Sequence, residues 1–205
     1  MELKEKESAQ NGIVREYDEN GNMIHWKDSY GNEKWFENGT IVHRKYRDGK
    51  EEWYKNGETV HRKDSDGKER WREYDASGNE IHRKYTDGDE WWCEYDASGN
   101  EIHRKDSNGD EKWWEYDAAG NEIRHKYSNV QERWREYDEN GNEVHYKDSD
   151  GKEEWCEYDA TGNEVHRKYS NGNEWWWEYD ANGNMIHWKD NNGNEGWGEY
   201  DANGN

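Results

Sequence analysis

A tryptophan recurs at Trp35, Trp53, Trp71, Trp92, Trp113, Trp134, Trp155, Trp176 and Trp197, and no other feature of the chain restricts its fold as much. The first two steps are 18 residues and the remaining six are 21. An Ile or Val keeps the same phase at Ile24, Val42, Val60, Ile81, Ile102, Ile123, Val144, Val165 and Ile186, with a Lys three residues after each. A His follows the Ile or Val in eight units; in the ninth Arg124 takes that place and His125 is displaced by one. Self-similarity at a period near 20 residues signals a repeat architecture, in which each unit buries its surface against the next.

Each unit contains two turns. Segments such as Ser65-Asp66-Gly67-Lys68 place Asp-Gly or Asn-Gly between two alternating stretches, the signal of a hairpin with a two-residue type I′ turn. Gly heads this turn in every unit except the one with Val130. The 18-residue units carry a second two-residue turn, Asn38-Gly39 and Asn56-Gly57. In the 21-residue units that turn grows to Tyr-Asp-Ala-x-Gly-Asn, which suits a longer type I loop with a left-handed exit.

Two turns per unit predict two strands per unit, and the period of two assigns their faces. With both turns of two residues, Trp53 pairs with Val60 and Arg62 with Trp71. The expected stripe on one face is therefore Trp53, Trp71, Trp92, Trp113, Trp134, Trp155 and Trp176 with Ile81, Ile102, Ile123 and the Arg residues, flanked by Glu69 and Glu73. His, Lys and the Tyr of Glu-Tyr-Asp fall on the other face. Nine units give about eighteen strands at ~4.8 Å each. Open twisted sheets seldom exceed ~10 strands without curling. The expectation is an all-β tandem β-hairpin repeat array, one long antiparallel meander that is ribbon-like or coiled. Residues 1–12 read as a charged N-terminal tail and 13–205 as a single repeat domain.

Composition fits a sheet that is mostly surface. Only 28% of the residues are apolar, but there are 15 Trp and 15 Tyr, which disordered chains avoid, and no Pro. Fifty acidic against 29 basic residues give a formal charge of −21, which argues against a nucleic-acid partner. No apolar run is long enough for membrane insertion or a signal segment; a chain of this kind acts in the cytoplasm or reaches the surface by a leaderless route. Cys93 and Cys156 have neither zinc spacing nor a Cys-x-x-Cys pattern and read as isolated thiols.

The segment Tyr74-Asp75-Ala76-Ser77-Gly78-Asn79 and its copies beginning at Tyr95, Tyr116, Tyr137, Tyr158, Tyr179 and Tyr200 resemble the YD (RHS-type) repeats of bacterial surface and toxin-delivery proteins. The shorter units at 35–40 and 53–58 look like variant MORN-type hairpin repeats. The resemblance implies a β-hairpin array, and for the YD kind a coiled shell linked with carbohydrate binding and toxin packaging.

No unit departs from the others in its Asp or Glu, and no nucleophile, phosphate-loop or dinucleotide motif is present, so an enzyme is not expected. Equivalent His residues should lie ~9–10 Å apart, two strands on, too far to share one metal ion; neither a metal nor a cofactor is expected. Four tryptophans, Trp91, Trp114, Trp175 and Trp177, break phase with the repeat and should project from the opposite face as a candidate ligand surface, since exposed indoles stack on sugar rings or partner proteins. Trp26 and Trp188 stand where most units have Arg. The final stretch Glu195 to Tyr200 lacks a partner strand, so that either the repeat continues in a longer protein or this stretch pairs with the strand near Ile13 to Tyr17 of a second copy, giving filaments. Three functions follow: a scaffold that assembles with itself or another protein, a carbohydrate-binding or adhesive module, or an accessory or immunity component of a YD-type toxin system.

Overall fold

In the computed structural model, which describes residues 5–10 and 12–200, the strands follow in chain order: β1 Glu5–Gln10, β2 Ile13–Tyr17, β3 Met23–Lys27, β4 Glu33–Glu37, β5 Thr40–Lys45, β6 Glu51–Lys55, β7 Glu58–Lys63, β8 Glu69–Tyr74, β9 Glu80–Tyr85 and β10 Glu90–Tyr95. They continue as β11 Glu101–Asp106, β12 Glu111–Tyr116, β13 Glu122–Tyr127, β14 Glu132–Tyr137, β15 Glu143–Asp148, β16 Glu153–Tyr158, β17 Glu164–Tyr169, β18 Glu174–Tyr179, β19 Met185–Asp190 and β20 Glu195–Trp197. The fold is all-β, an array of antiparallel hairpins in an open sheet with no helix among the described residues. Contacts divide the chain into Met1–Tyr95 with Lys105–Gly109, and Asp96–Arg104 with Asp110–Asn205. Each unit is a meander in which successive strands pair antiparallel. Residues 5–10, grouped with the tail in the sequence, pair with β2. That strand therefore has neighbours on both sides and is not the edge expected near Ile13 to Tyr17.

Two of the turn expectations hold. Asn38 and Asn56 have φ of 49° and 53°, and the glycines after them 78° and 91°, as a type I′ turn needs. The 21-residue units close through a type I turn with a left-handed Gly: the Gly78 amide donates to the Asp75 carbonyl, and Asp75 N–H to the Asn79 carbonyl. Asp75 completes the loop by accepting from the Ser77 and Asn79 amides and from the Asn79 side chain.

The Ser-Asp-Gly turns differ from expectation. At 64–68 only Gly67 has positive φ, its amide donates to the Asp64 carbonyl, and Asp64 N–H reaches the Lys68 carbonyl. The loop thus has three residues, with Gly67 as a bulge, and Lys63 faces Glu69 and His61 faces Trp71. Asp-Gly serves this loop as well as the two-residue one, because the preceding Ser and Asp accept the right-handed turn conformation.

A second extra residue lies inside the hairpins. Tyr54 faces Thr59 but Trp53 faces His61, leaving Val60 as a bulge. Ile24, Val42, Ile81, Ile123, Val144, Val165 and Ile186 take the same place in their hairpins. The expected Trp–Ile/Val–Arg stripe is therefore corrected. Its tryptophans do share a face, but Ile81 and Ile123 leave the row as bulge residues, and His and Lys replace them beside Trp. The Arg residues join Tyr on the opposite face. A one-residue slip exchanges faces, and the bulge supplies that slip.

The Tyr of five Tyr-Asp pairs acts beside this bulge. The β9–β10 ladder stops at His82–Trp92, short of Glu80, and the Tyr95 hydroxyl donates to the Glu80 carbonyl at 3.1 Å. Tyr74, Tyr116, Tyr137 and Tyr158 reach the carbonyls of Thr59, Glu101, Glu122 and Glu143 in the same way. At the other end the Ser149 amide donates to the Glu132 carbonyl while its Oγ accepts from the Glu132 amide.

Two substitutions test this account. Val130 holds φ 67° where the other loops have Gly, and its side chain is 81% exposed. A β-branched residue in that region is strained by about 1–2 kcal/mol, so Val130→Gly should raise stability by roughly that amount in urea unfolding. Tyr116→Phe removes the hydroxyl bond and should cost about 1 kcal/mol; an unchanged midpoint would mean the bulge carbonyl needs no partner.

Candidate functional site

On one face the register stacks imidazole on indole. Near the N-terminal end His25, Trp35, His43, Trp53, His61 and Trp71 form a continuous row with ring centroids 4.9, 4.4, 4.6, 4.2 and 5.0 Å apart. The row is continuous because 18-residue hairpins place Trp53 directly opposite His61. In the 21-residue hairpins Trp71 faces Lys84 and Glu73 faces His82. Lys84 then faces Glu90, two residues before Trp92, so the rows step by two residues, about 7 Å, per hairpin. Each His still stacks on the next Trp, as His82 on Trp92 at 5.3 Å and His166 on Trp176 at 5.1 Å. Lys covers that Trp from the far side, with Lys126 Nζ 5.6 Å from the Trp113 ring.

The imidazole edges meet carboxylates. His82 Nδ1 is 3.3 Å from Glu73 and its Nε2 2.8 Å from Glu90. His145 lies in the same way between Glu136 and Glu153, and His25 between Glu16 and Glu33. Where Arg124 replaces His it faces Trp134 and bridges Glu115 and Glu132 instead. No group of three metal-ligating side chains is close enough to hold an ion among the described residues. The Glu of Glu-Tyr-Asp does not stand out in the sequence; its alternation with the His of the next strand is the signal that marks it.

On the opposite face Arg, Glu and Tyr interlock. Glu52 accepts from Tyr46 and Tyr54 and pairs with Lys50. Its burial favours the neutral acid, but these partners outweigh it and hold the carboxyl at about 2. Arg83 grips Glu80 and lies over Trp91, 5.0 Å from that ring. Cys93 and Cys156 are the buried apolar residues on this side, and both are free thiols; burial pushes the Cys156 thiol up.

The four off-phase tryptophans stand on this second face, since each is the immediate neighbour of a head Trp in its strand. The structure places them in three separate settings. Trp91 packs under Arg83. Trp114 faces the displaced His125, rings 4.9 Å apart. Trp175 and Trp177 lie together, 6.3 Å apart and within 11° of parallel, and Trp188 joins them at 5.5 Å from Trp175.

No protein-family model matches the chain, and no curated protein matches it. Its fold is similar to part of the solved TcdB2-TccC3-Cdc42 complex, with 14% identity and a TM-score of 0.51 over 86% of this chain and 13% of that one. A Photorhabdus luminescens Tc holotoxin pore is similar at 13% identity and a TM-score of 0.50, over 87% of this chain and 12% of that one. At such identity the likeness is one of fold alone, an all-β array of repeated hairpins. The chain spans about an eighth of the length of these neighbours.

Removing one ring tests the stack. Trp53→Ala loses two imidazole partners, and at about 0.5–1.5 kcal/mol per aromatic pair plus lost area it should cost about 2–4 kcal/mol. Trp197, 69% exposed and stacked only on His187 among the described rings, should cost clearly less. Equal costs in urea unfolding would show that stacking contributes little.

Acid should unfold the protein in two stages. Burial pushes His43 and His125 down, so each stabilises the fold while neutral, and that stability is lost as pH falls below the unfolded value near ~6.5. The loop aspartates are also held down: Asp75 by the Asn79 side chain, and Asp159 to about 2 by the Thr161 hydroxyl and then Asn163. Their contribution is present above ~4 and is lost as pH drops through the folded values. Melting temperature followed by circular dichroism should decline gently below pH ~6.5 and steeply below ~4; a rise between pH 7 and 4 would contradict both assignments.

Proposed function

We propose that the chain is a non-catalytic repeat scaffold, whose role is to present side chains at a fixed spacing for assembly with a second copy or another protein. The observation that carries this reading is repetition: the same side chains recur from hairpin to hairpin, and each holds a neighbour. Asp closes its loop with Asn, Tyr donates to a carbonyl of the preceding hairpin, and His joins two Glu. Catalysis instead needs one constellation unlike the rest. Among the described residues β1 pairs with β2 and β20 with β19, and in end-to-end assembly the other side of β20 would pair with that of β1 in a second copy. The fold likeness to a Tc holotoxin component supports the second reading, an accessory role beside a toxin of that kind.

Deleting one complete unit, residues 113–133, tests the scaffold. Because stability in a repeat array is a sum of unit and neighbour terms, the shortened chain should fold cooperatively with a lower melting temperature. Loss of folding would reject a modular array. Sedimentation across a hundredfold concentration range, with negative-stain imaging, tests assembly: growing species support end-to-end pairing, and a monomer throughout removes it.

A further inference from the structure

The β18–β19 hairpin repeats the β8–β9 hairpin in length and register; beside Met185 for Glu80, Asp190 for Tyr85 and Asn182 for Ser77, it differs by tryptophan in place of arginine at three positions. Arg70, Arg72 and Arg83 of the earlier hairpin correspond to Trp175, Trp177 and Trp188 of the later one, and Arg72–Arg83 and Trp177–Trp188 are equivalent cross-strand pairs. The hairpin therefore forms with guanidinium groups at these positions, and its folding does not call for the three indoles. They nevertheless gather at one spot, 5.5 and 6.3 Å apart.

The neighbourhood is adapted to them. Trp188 faces Gly196, where a Cβ would collide with the indole nitrogen. Most units carry a long side chain there, such as Arg70, Lys112 or Arg133. Gly196 thus makes the space in which Trp188 lies. Beside the rings is an open depression of about 350 Å³, lined by Trp175, Trp177, Glu164, Arg167 and Tyr169. Arg167 is fixed by two bonds to Glu164, which leaves a planar donor and a carboxylate acceptor held rigidly at the edge of the aromatic surface.

We propose that this patch is a binding site for a neutral saccharide. Indole faces stack on the C–H surface of a pyranose, while the guanidinium and carboxylate at the rim match its hydroxyls as donor and acceptor. The charge of −21 disfavours an anionic glycan. Trp91 and Trp114 do not belong to the site: neither lines the depression, and each packs singly, Trp91 under Arg83 and Trp114 against His125.

The site goes beyond the scaffold reading and stands or falls separately from it. The test uses the full chain, with cellohexaose, laminarihexaose and chitohexaose titrated against tryptophan fluorescence and by calorimetry, and a heparin hexasaccharide as the anionic control. At least one neutral hexasaccharide should bind at millimolar concentration or tighter. Trp175→Ala with Trp177→Ala should weaken it at least tenfold, Trp177→Tyr should retain it, and Trp91→Ala should leave it unchanged. Gly196→Ala, which displaces Trp188 without touching the rim, should weaken it while the far-ultraviolet spectrum and melting transition persist. No binding by any of the three neutral sugars, binding that survives the double substitution in a folded protein, or binding of the heparin fragment alone would overturn the proposal. None of these results alters the assembly measurements on which the scaffold reading rests.

Discussion

The structure depends on two one-residue displacements in every repeat. One is the third residue of the Ser-Asp-Gly loop, and the other is the bulge at the Ile or Val. Each displacement alone would send successive tryptophans to alternate faces, because side-chain direction reverses with every residue. Together they cancel for tryptophan and leave all the head indoles on one side. They do not cancel for its neighbours. Beside Trp53 stands His61 instead of Val60, and the whole pattern of stacks and carboxylate contacts follows from that exchange.

The exchange matters because these hairpins have little other means of support. No large side chain is fully buried among the described residues, and the buried apolar groups are two thiols. Burial in one central core cannot supply the stability of such a chain, as it does in most domains. Its place is taken by contacts between adjacent strands, each of modest size and each repeated. An imidazole suits such contacts, because its faces accept an indole while its two nitrogens reach carboxylates in the plane of the ring, as at His82. An Ile or Val in that place would bury comparable area and leave the neighbouring glutamates without partners, adding to the repulsion of a highly acidic chain.

The same exchange decides which parts of the fold are legible in the amino-acid sequence. The two strands per unit, the antiparallel connections, the Asn38-Gly39 and Asn56-Gly57 turns and the common face of the tryptophans follow from period and turn chemistry, while the strand at Glu5–Gln10 lies outside the repeat and does not. The tryptophan face is legible because the two displacements cancel there. The partners of tryptophan are not, since Asp66-Gly67 fits a two-residue or a three-residue loop equally well, and nothing in the residues around Val60 announces a bulge. Only the hydroxyl of Tyr74 donating to the Thr59 carbonyl gives that bulge a chemical counterpart, and the two lie fifteen residues apart. The aromatic patch is half legible. Trp175 and Trp177 stand out by phase, while Trp188 and Gly196 become part of it only once the register places them side by side.

The unit at Arg124 shows which demand of the His position is the stricter. There the imidazole has moved one residue on and points to the other face, where it stacks on Tyr127 at 4.2 Å and leans on Trp114. If stacking on the following indole were what the position selects, an aromatic residue would be expected in its place beside Trp134. The residue present is instead an arginine, and it contacts the same two carboxylates that a histidine meets elsewhere: Glu115 from the preceding strand and Glu132 from the following one. A guanidinium is planar and offers donors at both ends, so it meets the electrostatic requirement in full. The requirement common to both versions is a flat donor with two ends set between two glutamates of neighbouring strands. At His25, His82, Arg124 and His145 such a donor sits between the carboxylates of neighbouring strands, which lets a chain of 50 acidic residues bring them to hairpin spacing there.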